Sequence, residues 1–158
     1  MQIAKSFGAE ATAVCSTSKV DMVRSIGADH VIDYTKEDFT KNGKHYDLIL
    51  CANGYHSILD YKRALSPNGI YVVTGGTMAQ MFEVTFVGPL ISMSGSKKMG
   101  GIMVKPDKKD LVFLKELLKS GKVVPVMDRV YPLREVADAI RYLEEGHARG
   151  KIVIKIGT

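Results

Sequence analysis

The stretch around Thr12 to Tyr34 constrains the fold more than any other. It reads ATAVC, STSK, VDMVRSIG and ADHVIDY in turn. That is a short apolar strand, a polar turn, a one-sided helix ended by Gly27, and a second strand. A strand–helix–strand unit of this length is a right-handed βαβ crossover, the building block of parallel sheets. In such sheets ligands bind at the carboxyl ends of the strands. Here Ser16, Thr17, Ser18 and Lys19 follow Cys15 at that end.

The chemistry of this turn is informative. A dinucleotide site that takes NAD usually places an acid here to accept from the ribose 2′-hydroxyl. No acid stands in the turn before Asp21. Three hydroxyls and an ammonium suit a 2′-phosphate instead, which carries a charge of about −1.5 to −2. Tyr34, at the end of the next strand, adds a hydroxyl or a ring to cover adenine. The local alternative is that Ser18 caps the helix, with Asp21 in a loose capping box. The two readings are compatible, because Ser16, Thr17 and Lys19 remain.

The 158 residues fit one domain, long enough to bury a real core. The net charge of +5 includes Lys97, Lys98, Lys105, Lys108 and Lys109. No aromatic residues are spaced among them as base-stacking platforms, so nucleic acid is not an expected partner. Cys15 and Cys51 both fall in apolar strands and read as buried thiols of a reducing compartment. No metal-ligand cluster, C-x-x-C or H-E-x-x-H is present, so neither zinc nor another metal is expected. The apolar runs are too short to span a membrane. Met1 leads into QIAKSFG without the apolar stretch of a secretory signal, which places the expected location in the cytoplasm.

The remaining elements follow in order. Residues 1–7 read as the tail of a helix stopped by Gly8. Residues 36–41 read as a short polar helix or turn. YDLILCA, from Tyr46, reads as a strand buried on both faces, ending in Asn53–Gly54. A helix over residues 57–65 ends at the Ser66-Pro67-Asn68-Gly69 turn. GIYVVT, from Gly69, is a strand ending in Gly75–Gly76. Residues 78–88 read as looser chain, 90–94 as a fifth strand, and Gly95, Gly100 and Gly101 as a loop behind it. A helix over 108–119 carries Leu111, Leu114, Leu117 and Leu118 on one stripe. Residues 123–126 and 129–131 are extended. A last helix starts at Pro132, with Val136, Ile140 and Leu143 facing inward, and KIVIKI, from Lys151 to Ile156, is the final strand. Strands alternate with helices, so the class is α/β with a mainly parallel sheet flanked by helices.

QIAKSFGAEATAVCSTSK, VRSIGADHVIDY, YDLILCANG, LSPNGIYVVTGG and EVADAIRYLEEGHARGKIVIKI resemble the cofactor-binding half of medium-chain dehydrogenase/reductases. The branch they resemble most is the zinc-independent quinone or enone reductases that use NADPH. The resemblance implies a Rossmann-like domain, here lacking the first strand and the Gly-rich loop, and lacking the substrate domain that precedes them. No G-x-G-x-x-G occurs in the sequence, and such loops normally hold the pyrophosphate. By resemblance, Ser16, Thr17 and Lys19 meet the 2′-phosphate and Tyr34 packs there. Asn53 and Gly54 stand beside the adenosine and its ribose. Gly75, Gly76 and Thr77 stand near the nicotinamide ribose, and Lys151 is a late basic residue near the cofactor. The plainer account of the two glycine turns is a need for positive φ, and of Lys151 a solvated strand end. No catalytic residue is carried over.

A Rossmann-like sheet without its first strand leaves the ATAVC and YDLILCA strands without a neighbour. Three repairs are open. The two strands pair directly, KIVIKI fills the gap, or a second copy supplies a strand. Dimers of the family resembled join sheet edges through the 90–94 region, so a homodimer through sheet edges is expected. Two other readings are weak. Ser16-x-x-Lys19 lacks the S-D-N of penicillin-recognising enzymes. None of the seven tyrosines has a lysine four residues on, as a short-chain dehydrogenase would. A methyltransferase also wants an acid after the second strand. The four histidines form no evident triad. The functional expectation is thus an NADP(H)-binding domain of a quinone- or enone-type oxidoreductase, inactive alone. The alternative is a non-catalytic structural or partner-binding module.

Overall fold

In the computed structural model the elements are α1 (Gln2–Ser6), β1 (Thr12–Cys15), α2 (Val20–Ser25), β2 (His30–Asp33), β3 (Tyr46–Cys51), α3 (Ile58–Ala64), β4 (Leu65–Val73), α4 (Met78–Ser94), β5 (Lys98–Gly101), α5 (Lys108–Lys119), β6 (Met127–Pro132), α6 (Val136–Glu144) and β7 (Lys151–Lys155). All residues are described except Tyr55, Gly76, Met103, Val104, His147 and Thr158. The chain forms two units, Met1–Asp33 with Asp107–Thr158, and Tyr34–Pro106. The α/β alternation is as read from the sequence, and the described ladders are parallel.

In the first unit β1 pairs with β2, Thr12 beside His30 through Cys15 beside Asp33. Gly27 ends α2 at φ +93°, where a Cβ would be strained, and its N–H donates to the Arg24 carbonyl at 3.0 Å. Asp29 ties two segments together. It accepts from Lys5 Nζ and from the Ala11 N–H, both at 2.7 Å, and these bonds hold its carboxyl below the usual range. Gln2 makes a two-way amide clamp on Val124, accepting from its N–H and donating to its carbonyl. That clamp satisfies backbone groups of an extended segment outside any ladder.

The ladder partner of β7 is β6, with Met127 beside Lys151 through Pro132 beside Lys155. KIVIKI is therefore committed to that pair, which corrects the idea that it fills a gap beside β1. The helical stripes also differ from expectation. Leu117 of α5 and Ala139 of α6 are buried, whereas Leu111, Leu114, Leu118, Val136, Ile140 and Leu143 are exposed. The 3.6-residue period forecast the stripes but carries no information about what lies opposite them.

The second unit is built on the sheet β3-β4-β5. Its covered face carries Ile49, Cys51, Tyr71, Val73 and Met99, joined by Ile58, Tyr61 and Ala64 of α3 and by Val84 and Ile91 of α4. Leu48 and Leu50, alternating with them, are exposed, so β3 is covered on one face and not two. The Ser66–Gly69 turn signal lies inside β4. Leu65 pairs with Tyr46 and Ile70 with Leu48, so the residues between bulge outward, with Asn68 at φ +64°.

Two segments correct the sequence reading. Residues 78–88 and 90–94 form one helix, α4, and not loose chain followed by a strand. The helix was hidden because its apolar residues run all round it, which erases the amphipathic period, and because Pro89 inside it reads as a breaker. Gly100 and Gly101 lie in β5, pairing with Val72 and Val73, and not in a loop. Residues 36–41 are turns. There Asp38 accepts from the Thr40 N–H at 2.9 Å and hydroxyl at 2.7 Å, with Lys41 Nζ at 3.1 Å and His56 Nε2 at 3.6 Å.

Burial raises the Asp38 pKa, but the Thr40, Lys41 and His56 interactions outweigh it and hold the carboxyl at about 2. A depressed folded-state pKa contributes stability that is present above about pH 4 and is lost as pH falls toward 2. Asp38→Asn is expected to destabilise the chain by about 1–2 kcal/mol at neutral pH. The gap to the wild type should close between about pH 4 and pH 2, as read by urea denaturation across that range.

Tyr61 and Tyr71 stack at 4.4 Å between ring centroids, and the Tyr61 hydroxyl lies 3.4 Å from Cys51 Sγ. Burial, then the Cys51 thiol, push both phenols well above their ordinary pKa. A Cβ on Gly54 would stand 2.1 Å from that hydroxyl and 2.7 Å from the thiol. Gly54→Ala is therefore expected to cost about 1–3 kcal/mol by overpacking. Tyr61→Phe in the same chain should return part of that loss, as read in a double-mutant denaturation cycle.

Candidate functional site

The turn after β1 is a single 3₁₀ turn, Thr17–Lys19, with Ser16 before it and Val20 opening α2 after it. The turn makes Lys19, and not Ser18, the residue preceding α2, and no side-chain cap bond is formed there. This corrects the capping reading of Ser18. Its hydroxyl instead lies 3.3 Å from that of Ser16. The Lys19 N–H donates to the Ser16 carbonyl at 2.9 Å, which closes the turn and keeps Ser16, Ser18 and Lys19 together.

Parallel register brings in a residue that the sequence reading missed. Asp33, the last residue of β2, sits beside Cys15, the last of β1. Thr17 Oγ1 donates to Asp33 Oδ2 at 2.5 Å. A carboxylate therefore stands at this strand end although none lies in the turn itself. Two four-residue strands of equal length were the available signal. Burial and then the Asp33 charge push the Cys15 thiol pKa up, while Lys19 and Arg24 draw it down. Tyr34 follows β2 directly and is 60% exposed.

In the second unit the turns after β3 and β4 are brought together. The Thr74 N–H donates to the Cys51 carbonyl at 2.9 Å, and a Cβ on Gly75 would stand 2.9 Å from the Ala52 carbonyl oxygen. Thr77 caps α4 in a reciprocal box with Gln80. The Gln80 N–H donates to Thr77 Oγ1 at 3.3 Å, and the Thr77 N–H donates to Gln80 Oε1 at 3.0 Å. The Gln80 side-chain amide then donates to the Gly54 carbonyl. Gln80 thus joins two of the turns assigned by resemblance, and Thr77-x-x-Gln80 was the signal that would have found it.

Gly54 and Gly75 are not among the glycines at positive φ. Close approach explains them: the Tyr61 hydroxyl and Cys51 thiol crowd Gly54, and the Ala52 carbonyl crowds Gly75. Asn53, in the turn after β3, is exposed. Gly76 lies outside the described residues. Lys151 opens β7 with an exposed side chain, and its N–H donates to the Val126 carbonyl at 2.7 Å. His30 pairs with Glu10 at 2.7 Å and His56 faces Asp38, while His147 lies outside the described residues. No group of three or more His, Cys, Asp and Glu poised to hold a metal occurs among the described residues.

Residues 26–154 match the family model described as zinc-binding dehydrogenase. The chain is 34% identical to a chloroplast envelope quinone oxidoreductase homolog of Arabidopsis thaliana, over 98% of this chain and 47% of the relative. It is 33% identical to a chloroplastic NADPH-dependent alkenal/one oxidoreductase of the same plant, over 98% of this chain and 36% of that one. The chain therefore spans less than half the length of either. Among solved structures, the quinone oxidoreductase from Coxiella burnetii superposes with a TM-score of 0.76, covering 99% of this chain and 48% of that one. At 23% identity that likeness speaks for the fold alone. The family match, the parallel α/β order and the two sets of strand-end turns agree: the chain belongs to the zinc-binding dehydrogenase family of the medium-chain dehydrogenase/reductase superfamily, and it carries that family's Rossmann-like half.

Proposed function

We propose that this chain supplies the NADP(H)-binding half of an oxidoreductase acting on quinones or enones. The observation that carries the reading is the turn after β1, where the Ser16 and Ser18 hydroxyls lie 3.3 Å apart beside Lys19. Two hydroxyl donors and a cation are the donor set a 2′-phosphate needs. The residues present fit the phosphate-bearing end of the cofactor, which when bound supplies the hydride. Lys19 offsets the phosphate charge and the two serines orient it. Thr17 donates to Asp33, and that bond turns one carboxylate oxygen toward a hydroxyl. Asp33 opposes the phosphate electrostatically, so Lys19 and Asp33 set the preference between the two nicotinamide cofactors by opposite signs.

The turns Asn53–Gly54 and Gly75–Thr77 are assigned to adenosine and nicotinamide ribose by resemblance. Both polar groups of the Thr77 cap are engaged by Gln80, so this residue acts on a ligand by shaping the turn. No catalytic acid, base or metal ligand is assigned in this chain. Both cysteines are free thiols, which suits a reducing compartment such as the cytoplasm. No helix among the described residues is long and apolar enough to cross a membrane. The alternative is a structural or partner-binding module that takes no cofactor.

A fluorescence titration separates the two. NADPH is expected to bind in the micromolar range, with NADH at least tenfold weaker, a difference of about 1.4 kcal/mol. Absence of binding by either cofactor up to millimolar concentration would sink the proposal. Lys19→Ala should weaken NADPH about tenfold and leave NADH unchanged. Asp33→Asn should tighten NADPH severalfold. Two variants moving NADPH affinity in the same direction would place the phosphate elsewhere.

A further inference from the structure

All three asparagines of this chain, Asn42, Asn53 and Asn68, are followed by glycine. Such a pair is open to a reaction with itself. The glycine nitrogen attacks the side-chain amide carbon, and no side chain on the glycine hinders the approach. We propose that the fold confines this reaction to one of the three, so that Asn42–Gly43 is a site of spontaneous deamidation built into the turns before β3. The proposal does not depend on the cofactor reading and needs no docking surface. Apart from water, every group it uses belongs to residues 37–44.

Asn42 is held for the attack. Its Oδ1 accepts from the Lys44 N–H at 3.0 Å, and its Nδ2 donates to Glu37 Oε1 at 3.2 Å. The first bond closes an Asx turn, which folds the carboxamide back over the Gly43 peptide bond. The two reacting groups are thus brought together before the reaction starts. The Lys44 N–H has a second effect. As the Gly43 nitrogen adds to Cγ, negative charge gathers on Oδ1, where that donor already points. The Gly43 N–H has no hydrogen-bond partner among the described residues, so losing its proton breaks no bond of the fold. Gly43 stands at φ +78° with open space where a Cβ would be, which leaves room for its peptide to swing as the ring closes.

The other two pairs lack that room. A Cβ on Gly54 would stand 2.1 Å from the Tyr61 hydroxyl and 2.7 Å from the Cys51 thiol, and the Gly54 carbonyl accepts from Gln80. Gly69 is buried inside β4, where a Cβ would stand 2.9 Å from the Ser66 carbonyl oxygen and 3.0 Å from that of Tyr46. The Asn68 N–H in turn donates to Ser96 Oγ at 3.4 Å. Ring closure at either site would drive the glycine into packed atoms.

The steps balance without an oxidant or reductant. The Gly43 N–H gives its proton to water, its nitrogen bonds to Asn42 Cγ, and the Cγ–Nδ2 bond breaks. Ammonia leaves, taking up a proton from water, and a succinimide remains. Water then opens that ring at one of its two carbonyls. Addition at Cγ leaves aspartate. Addition at the Asn42 backbone carbonyl carbon leaves isoaspartate, with the chain now running through Cβ and Cγ. Either product puts a carboxylate where the amide now donates to Glu37, and the two like charges repel. Isoaspartate also lengthens the backbone just before β3 by one carbon. The turns that lead into this strand therefore carry a slow, one-way chemical change.

Incubation of the full 158-residue chain in mildly alkaline water enriched in heavy oxygen tests the proposal, once folded and once in urea. Mass spectrometry of chymotryptic peptides follows the label, the Thr40–Tyr46 peptide reporting Asn42. Enzymatic methylation of isoaspartyl groups identifies the second product. In the folded chain Asn42 is expected to convert at least about tenfold faster than Asn53 and Asn68, about 1.4 kcal/mol less in barrier. In urea the three rates should come within about threefold of one another, because only the fold separates them. Asn42→Ser should remove the label from the Thr40–Tyr46 peptide. A folded chain in which Asn53 or Asn68 converts as fast as Asn42 would overturn the proposal. So would an Asn42 that converts more slowly folded than in urea, or label that stays in the Asn42→Ser peptide.

Discussion

Parallel strand pairing is the constraint on which the rest of this structure depends. A parallel pair cannot be closed by a tight hairpin, so each strand must be followed by a crossover before its neighbour begins. The chain meets that requirement with one α-helix in each crossover: α2, α3, α4 and α6. One geometric result follows: the carboxyl ends of paired strands lie side by side, and whatever residues follow them are gathered there. Cys15 beside Asp33 in one unit, and Cys51 beside Val73 in the other, are both products of that rule. Residues far apart in sequence become neighbours with only the matched strand lengths to signal it.

The gathered turns are held by different physics in the two units. After β1 the turn is polar and half exposed, and charge governs it. Lys19, Asp33 and Arg24 all act on the same small region, as their opposing effects on the Cys15 thiol show. After β3 and β4 the turns are held by packing and by neutral hydrogen bonds. Gln80 joins the Gly54 carbonyl to the start of α4. Beneath it lie the stacked tyrosines and the Cys51 thiol. Leu65 and Tyr71, at 0% and 2% exposure, anchor that layer, each worth roughly 2 kcal/mol in burial. An exposed charged turn on the first unit and a packed amide-linked turn on the second suit different tasks. The first is the turn proposed to meet an anion, and the second keeps a backbone surface in place.

The helix α4 shows how one cap can override a weak pattern. Its apolar residues run on all sides and a proline lies within it, so neither period nor composition marks it as a helix. The Thr77–Gln80 box supplies the N-terminus that the period does not. Once started, the helix buries one face on the sheet of its own unit and leaves a second apolar face outside. On that second face Phe82, Phe86, Leu90 and Met93 are exposed.

Sequence alone determined the alternation of strands and helices, several element bounds and the family. Residues 108–119, for instance, emerge as α5 just as the leucine spacing marks them. These features are local: apolar periods, glycine stops and turn residues act within a few positions of themselves. The three hydroxyls and lysine after β1, and the glycines after β3 and β4, were legible for the same reason. Tertiary structure alone decided that Asp33 faces the first turn, that Gly54 is required by a tyrosine hydroxyl rather than by its backbone angle, and that KIVIKI pairs with β6. It also decided that residues 78–94 are one helix with two apolar faces. Each of these depends on strand register or on packing between distant segments. Register is set by the fit of a whole sheet, and no local run of residues carries it.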